Sequence, residues 1–207
     1  RLGPMTDAPV LLELHLGDDP AAWTRAGFTV VDGRVRLGAL VLVCAADGSA
    51  PLLGFDRPTD LDGAPSNVVA APTEDAAPAH PNGIDGFDHV VIMAPHLDRV
   101  RAAVRSAGFE IRRERPTRLG DAEITQLFVW AGPVLLEIVA PTTGDDPGGP
   151  SQVWGLAAIS PDLDATATWF GDRISSPRTA VQAGRRIATV RHRDVGIGVQ
   201  LAVMTGR

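Results

Sequence analysis

The sequence predicts an α+β fold in which a βαβββ module occurs twice between about residues 83 and 207. The first observation is a strand-like apolar run from Phe87 to Met93, followed directly by apolar residues at helical spacing as far as Gly108. The second is that three more strand-like runs come after this helix. The third is that the same order of patterns begins again at Gln152, which indicates an internal repeat.

The first module, about 83–143, shows a signal for each of its elements. In the helix, Leu97, Val100 and Val104 share one face, Pro95 suits the first turn, and Gly108 suits the left-handed position after the last turn. The three strands that follow are predicted over residues 110–115, 124–130 and 134–140, with a tight Ala-Gly-Pro turn between the last two.

The second module, about 150–207, aligns with the first through its opening strand and helix. Pro161 matches Pro95, and the pair Leu163-Asp164 matches Leu97-Asp98. We expect a strand over 152–159, a helix over 161–170 and strands over 186–191 and 196–204.

A shorter unit of related type is predicted at residues 5–62. Its expected elements are a strand over 10–16, a helix over 19–27, strands over 28–31 and 35–44, and a last strand near 51–55. An Ala/Pro-rich linker is predicted over 63–82. We expect Met5 to be the natural start, with residues 1–4 a remnant of expression. Three modules leave one unpaired, and homodimerisation is one way to complete it.

The composition excludes several kinds of chemistry. All 19 basic residues are Arg, so a lysine Schiff base and a phosphate-binding loop lysine are both ruled out, and the absence of Tyr rules out tyrosine acid catalysis. A net charge of -6 argues against a nucleic-acid partner. The single Cys44 lies in an apolar run and suits a reducing compartment, and apolar runs are shorter than a membrane helix needs. We therefore expect a cytoplasmic protein with no membrane partner, from a high-GC bacterium.

Three short motifs carry a resemblance to a known family. They are Asp88-His-Val-Val-Ile92, the Leu97-Asp98 helix start and Val134-Leu-Leu-Glu-Ile-Val139, which together resemble the glyoxalase-like, or vicinal oxygen chelate, proteins. The resemblance implies that the paired modules form a cupped, incomplete mixed β-barrel. It also implies metal ligands that point inward from the first and last strand of each module.

Carried over residue by residue, these ligand positions fall on His89 and Glu137 in the first module and on Gly155 and Gln200 in the second. The resemblance thus implies one divalent metal ion held by His89, Glu137 and Gln200. It also leaves room for no metal at all, because Gly155 offers no ligand atom. The residues taken without the resemblance leave two alternatives open: Glu137 faces solvent, or His89 is a hydrogen-bonded core imidazole.

The sequence leaves the activity open between an enzyme and a binding protein with a small-molecule ligand. A metal-dependent lyase, isomerase or dioxygenase would use Glu137 as its catalytic base. A metal-free protein would sequester a molecule, such as an antibiotic, in the same cup, and a third alternative is an interaction module. In either of the first two, Trp130, Trp154 and Arg113 are the expected substrate contacts. The alternatives for these residues are an aromatic core position and a solvated strand edge.

Three of the other histidines are weaker candidates. We expect His15 and Glu13 to share a strand face that is solvent-facing or, as the alternative, part of a second cup, His96 to lie on the surface at a helix start, and His192 to lie in a polar turn between two strands.

Overall fold

The structure, a computed structural model, describes residues 8–71, 77–143 and 148–206. The predicted start at Met5 and the expected remnant before it lie outside these residues, as do residues 72–76 of the predicted linker. The described strands form two mixed sheets of five and eight strands, with short helices between them. The predicted α+β class and the pair of βαβββ modules are confirmed.

The N-terminal sheet has the strand order β2-β3-β1-β4-β5. Its elements are β1 (Leu11–Leu16), α1 (Pro20–Arg25), β2 (Arg34–Leu37), β3 (Leu40–Cys44), β4 (Leu52–Phe55) and β5 (Ser66–Val68). The expected strand over 28–31 is wrong: Val31 makes an isolated bridge to Arg34. The expected strand over 35–44 is instead the hairpin β2–β3, which turns at Gly38, where a φ of 59° suits glycine.

The N-terminal sheet also corrects the module count. Strand β3 lies parallel to β1 and so takes the place of the last strand of a βαβββ unit, whereas β4 lies antiparallel to β1. Strand β5 then pairs parallel to β4, inside the segment predicted to be a linker. Strands β4 and β5 are therefore the first and last strands of an abbreviated second module. The expectation that one module is left unpaired is wrong, because β4 pairs with β1 as the first strand of a second module would.

The paired modules form the larger sheet, in the order β11-β12-β13-β10-β6-β9-β8-β7. The first module comprises β6 (Gly86–Met93), α2 (Leu97–Ser106), β7 (Ile111–Leu119), β8 (Ala122–Ala131) and β9 (Val134–Pro141). The second comprises β10 (Gln152–Ser160), α3 (Leu163–Phe170), β11 (Arg178–Thr179), β12 (Arg186–Val190) and β13 (Gln200–Thr205). Strands β6 and β10 meet antiparallel at the centre, and each pairs in parallel with the last strand of its own module.

Side-chain alternation along these strands gives the sheet one buried face and one open face. Val90, Ile92, Leu136 and Ile138 are fully buried and belong to one core with Val104 of α2. The N-terminal unit packs against the same side, and its Phe55 lies 6.3 Å from Phe109 between ring centres. The opposite face of the sheet lines two cavities and forms the cup.

The two units are joined by buried polar contacts as well as apolar ones. Asn82, at the end of the predicted linker, is 1% exposed, and its amide donates to the carbonyl of Ala26. The backbone carbonyl oxygen of Asn82 accepts a hydrogen bond from the hydroxyl of Thr166 in α3. Asp18 accepts from the backbone nitrogen of Gly198 at 2.9 Å, which ties the N-terminal unit to the second module.

Candidate functional site

The cup of the eight-stranded sheet contains two adjoining cavities. One has a volume of about 530 Å³ and the other about 350 Å³. Their linings share five residues: His89, Arg115, Phe128, Glu137 and Gln182. The two cavities are therefore one continuous groove, and His89 and Glu137 lie where they meet.

The sheet register brings His89 and Glu137 together. Strands β6 and β9 are parallel neighbours, with Val91 opposite Glu137, so His89 and Glu137 project from the same face one pleat apart. His89 Nε2 lies 3.3 Å from Glu137 Oε2, and the two side chains are only 10% and 13% exposed. The expectation of a shared cup position thus agrees with the geometry, and solvent-facing orientations do not.

Asp88 joins this pair through an irregularity in β6. Regular alternation would point Asp88 away from the cup. Between Phe87 and His89, however, β6 carries one more residue than the facing segment of β10, so the register shifts there. The shift places Asp88 Oδ2 2.7 Å from His89 Nδ1, with the Asp88 side chain 2% exposed.

Arg185 holds the other oxygen of Asp88. Its Nη2 lies 2.8 Å from Asp88 Oδ1, and its Nε donates to the carbonyl of Thr205 at 2.8 Å. Burial raises the pKa of Asp88, but the hydrogen bonds from His89 and Arg185 outweigh burial and lower this pKa to about 2. Asp88 is therefore an ionised carboxylate at neutral pH.

The charge on Asp88 fixes the hydrogen positions on His89. A carboxylate only accepts hydrogen bonds, so His89 Nδ1 carries the hydrogen that it donates to Asp88. In a neutral imidazole Nε2 is then an acceptor, and it faces a second acceptor, Glu137 Oε2. A proton or a cation between two acceptors at 3.3 Å would stabilise the contact. The His89–Glu137 contact is therefore suited to one shared proton or one metal cation.

Glu137 is oriented from its other side by Gln126 of β8. The amide nitrogen of Gln126 donates to Glu137 Oε1, and Gln126 Oε1 accepts from Arg115 Nε at 2.8 Å. A continuous line of polar contacts thus crosses the cup. It runs through Arg185, Asp88, His89, Glu137, Gln126 and Arg115.

The second module lacks the matching pair. His89 pairs with Ala157 and Val91 with Gly155 across the centre of the sheet, so Gly155 is equivalent to His89, as the repeat alignment predicts. Glu137 pairs with Val91, and the equivalent pairing joins Ala157 to Ala202.

The predicted equivalence of Gln200 with Glu137 is wrong, because Ala202 lies at the equivalent position. Gln200 instead pairs with Gly155, as Leu135 pairs with His89. It still lines the second cavity. A Cβ atom at Gly155 would come 2.8 Å from the Cβ of Gln200, so Gln200 fills the space where a ligand side chain would stand.

The expected substrate contacts all lie in the cup. Trp130 lines the first cavity and Trp154 the second, and they are 39% and 49% exposed, which excludes a core position. Arg113 is exposed at the first cavity and makes no ion pair within the described part of the chain.

One of the remaining histidine predictions is wrong. Glu13 is 6% exposed and binds His15 Nε2 at 2.9 Å and Arg34 at 2.6 Å, so the pair does not share a solvent-facing strand face. His192 begins a short turn between β12 and β13, as predicted, and its side chain is buried, with Nδ1 2.8 Å from the carbonyl oxygen of Ile197. His96 caps the start of α2, as its position suggests.

Asp88, Gln126 and Arg185 belong to the site although they are not among the residues predicted from the sequence. Asp88 stands beside His89 in the quoted motif, but strand alternation points it to the wrong face. Gln126 is two residues before Phe128 on the same strand face, and a polar residue in an apolar strand was an available signal. Nothing in the sequence around Arg185 marks its approach to Asp88 across the sheet.

Comparison with known proteins extends this picture. No protein-family model matches the sequence, and no curated protein matches it significantly. Among solved structures, a triple mutant of 4-hydroxymandelate synthase from Streptomyces coelicolor is 14% identical, with a TM-score of 0.61 over 98% of this chain and 93% of that one. The chain has the vicinal oxygen chelate fold. Methylmalonyl-CoA epimerase from Mycobacterium tuberculosis is 21% identical over 60% of this chain and 90% of its own, with a TM-score of 0.46.

Two further observations concern metals and membranes. Within residues 8–71, 77–143 and 148–206, no group of three or more His, Cys, Asp or Glu side chains is arranged so that it could hold a metal ion. None of the helices in the same residues is both long and apolar enough to cross a membrane.

Proposed function

We propose that the cup of the paired modules binds a small organic molecule and that His89 and Glu137 move a proton on it, as in a lyase or isomerase. The observation that carries this proposal is the buried contact between two acceptor atoms, His89 Nε2 and Glu137 Oε2. A buried charged pair costs free energy unless it is fully paired, and such pairs concentrate at functional sites. Here every partner of the pair lines or borders the groove.

The residues divide the proposed reaction between them. Glu137 takes a proton from a carbon of the bound molecule, because it lines both cavities, its Oε2 lies beside His89, and Gln126 holds its other oxygen. His89 carries the mobile proton between Nε2 and the ligand. Asp88 fixes the ring and stabilises the imidazolium form, as a buried carboxylate does when it binds the far nitrogen of a catalytic imidazole. The apolar walls exclude water and strengthen these interactions.

The same pair fits one divalent metal ion, which would replace the shared proton. Imidazole and carboxylate are suitable donors, and Asp88 and Gln126 orient them from behind, as outer-shell partners of metal ligands do. His89 and Glu137 would be its protein ligands, while the amide of Gln200 lies in the same cup. A bound ion would stabilise negative charge that develops on substrate oxygens, and a redox-active ion would allow dioxygenase chemistry.

A metal-free binding protein is the second candidate. The observation in its favour is that Gly155 and Ala202 occupy the two equivalent positions of the second module, so half of a symmetric ligand set is missing. Such a protein would hold its ligand in the same groove without changing it.

Solvent deuterium incorporation tests the proton-transfer proposal. We would incubate the protein in D₂O with a panel of carboxylic acids that carry a C–H bond next to a carbonyl, and follow the label by NMR. The proposal predicts incorporation into at least one acid that binds, with loss of at least about 100-fold in Glu137→Gln. The matched control is Glu123→Gln, since Glu123 is exposed on β8 outside the cup. Binding with no incorporation would support the binding-protein candidate instead.

Metal analysis separates the two forms of the centre. The purified protein is assayed for metal, and its melting temperature is measured with added Mn²⁺, Ni²⁺, Zn²⁺ or Fe²⁺. A metal-holding centre predicts stabilisation that disappears in His89→Gln. No stabilisation by any of these ions would assign the shared charge to a proton.

Homodimerisation, as one way to complete the fold, and the cytoplasmic location stay predictions. A second copy could close the larger sheet at β7 or β11, which are its edge strands. Light scattering and cell fractionation test the two expectations.

A further inference from the structure

We propose that the ligand of the cup is an amphipathic organic anion, with its anionic group in the first cavity and its apolar body in the second. This inference rests on the proposed small-molecule site and names its ligand class and orientation. It follows from the different chemistry of two cavities that share His89 and Glu137.

The first cavity has an excess of positive charge in a protein whose net charge is -6. Four arginines line it, against the two carboxylates of Asp88 and Glu137. The arginines are Arg112, Arg113, Arg115 and Arg185. Arginine binds carboxylate and phosphate oxygens through paired N–H groups, so this lining favours an anion.

The four arginines are not equally available to a ligand. Arg185 is occupied by Asp88 and Thr205, and Arg112 by Glu110 at 2.7 Å. Arg115 uses its Nε on Gln126. Arg113 is exposed, and no described residue forms an ion pair with it. Arg113 is therefore the guanidinium most free to bind the anionic group, with Arg115 beside it.

The second cavity is mainly apolar. Its lining includes Val91, Met93, Trp154 and Met204, and its rim exposes Val181 at 74%. Its charged residues are His89, Glu137 and Arg115, all shared with the first cavity, and Arg178 on the edge strand β11. Apolar and aromatic walls of this kind contribute binding energy for a hydrocarbon or aromatic body.

The place where the cavities meet determines which atoms of the ligand reach the centre. A molecule that spans both must pass His89 and Glu137, because both residues line both cavities. An anionic group on Arg113 and an apolar body near Trp154 leave the atoms between these two ends beside Glu137. For a carboxylic acid, these are the carbons next to the carboxylate.

A pair of fluorescent probes tests the inference. The anionic probe is 1-anilinonaphthalene-8-sulfonate, and the neutral probe is N-phenyl-1-naphthylamine, which has the same aromatic body without the sulfonate. Each is titrated into the wild type and into Arg113→Met, Arg178→Met and Arg193→Met. Arg193 is exposed and outside the cup, so its substitution controls for the loss of one charge. Unchanged melting temperatures establish that the variants fold.

The inference predicts that Arg113→Met weakens binding of the sulfonate about tenfold, the effect of one charge-assisted hydrogen bond, and leaves the neutral probe unchanged. The other two variants should change sulfonate binding less than twofold. A larger effect of Arg178→Met would overturn the orientation, and equal effects of all three variants would overturn the anion site. Neither result depends on Glu137, so the deuterium experiment can fail or succeed independently.

Discussion

The Asp88→Asn substitution tests the buried polar line that orients His89. Asp88 is 2% exposed at its side chain and is held by His89 and Arg185, and its pKa in the folded protein is about 2 against an ordinary value of 3.8. A difference of roughly 2 pH units corresponds to about 2.5 kcal/mol, at 1.36 kcal/mol per unit. The substitution should therefore lower the free energy of unfolding by about that amount at pH 7.

The pH dependence gives the sharper result. Because folding lowers the pKa of Asp88, its contribution to stability is complete above about pH 5 and is lost as the pH falls through about 2. Urea unfolding of the wild type and the variant between pH 7 and pH 2 should show their difference shrinking to below about 1 kcal/mol at the acidic end. A difference that stays constant over this range would refute the assignment of a buried, ionised Asp88.

Three further predictions concern packing and the thiol. Gly155→Ala should lower the free energy of unfolding by about 1–3 kcal/mol, because the new methyl would lie 2.8 Å from a carbon of Gln200. The control is Gly86→Ala, whose new methyl has its nearest contact at 3.4 Å and should lower the free energy of unfolding much less. Thermal unfolding of the two variants compares them. In the same assay, Asn82→Ala should lower the free energy of unfolding by about 2–3 kcal/mol, since it removes two buried hydrogen bonds. An unchanged melting temperature would argue against a core shared by the N-terminal unit and the paired modules. Cys44 should react with a thiol reagent only in the unfolded protein at pH 8, because burial raises its pKa to about 12; rapid reaction of the native chain would contradict this.

The repeat made the larger sheet predictable from the sequence. Strand and helix patterns of the first module match the structure to within a few residues, because each element has its own periodicity and ends at a turn signal. The N-terminal unit, which has no such clear repeat, is harder to predict. The N-terminal hairpin is predicted as one strand because apolar residues stand on both sides of its turn at Gly38. Strand β5 has three exposed residues and no apolar pattern to distinguish it from a linker.

The sequence predicts a residue of the candidate site only where regular side-chain alternation along a strand determines which face that residue occupies. His89 and Glu137 lie on cup-facing positions of neighbouring strands, so their types and spacing were informative. Asp88 depends on a register irregularity, and Arg185 on a contact across the sheet, and neither is encoded in local sequence pattern. The position of Gln200 is not predictable in the same way. The sequence repeat aligns only the first strand and the helix of the second module, and the register of β13 is set by its pairing with β10.

NMR of the histidine side chains tests the central claim most directly. The chain has five histidines, and the His89 ring is assigned by comparison with His89→Gln. The account predicts a protonated, hydrogen-bonded Nδ1 and an Nε2 signal that shifts when 1-anilinonaphthalene-8-sulfonate is added, while His15 and His192 stay unchanged. An Nε2 signal of His89 that is unaffected at saturating probe, or a larger shift at His15, would contradict a ligand site centred on His89 and Glu137.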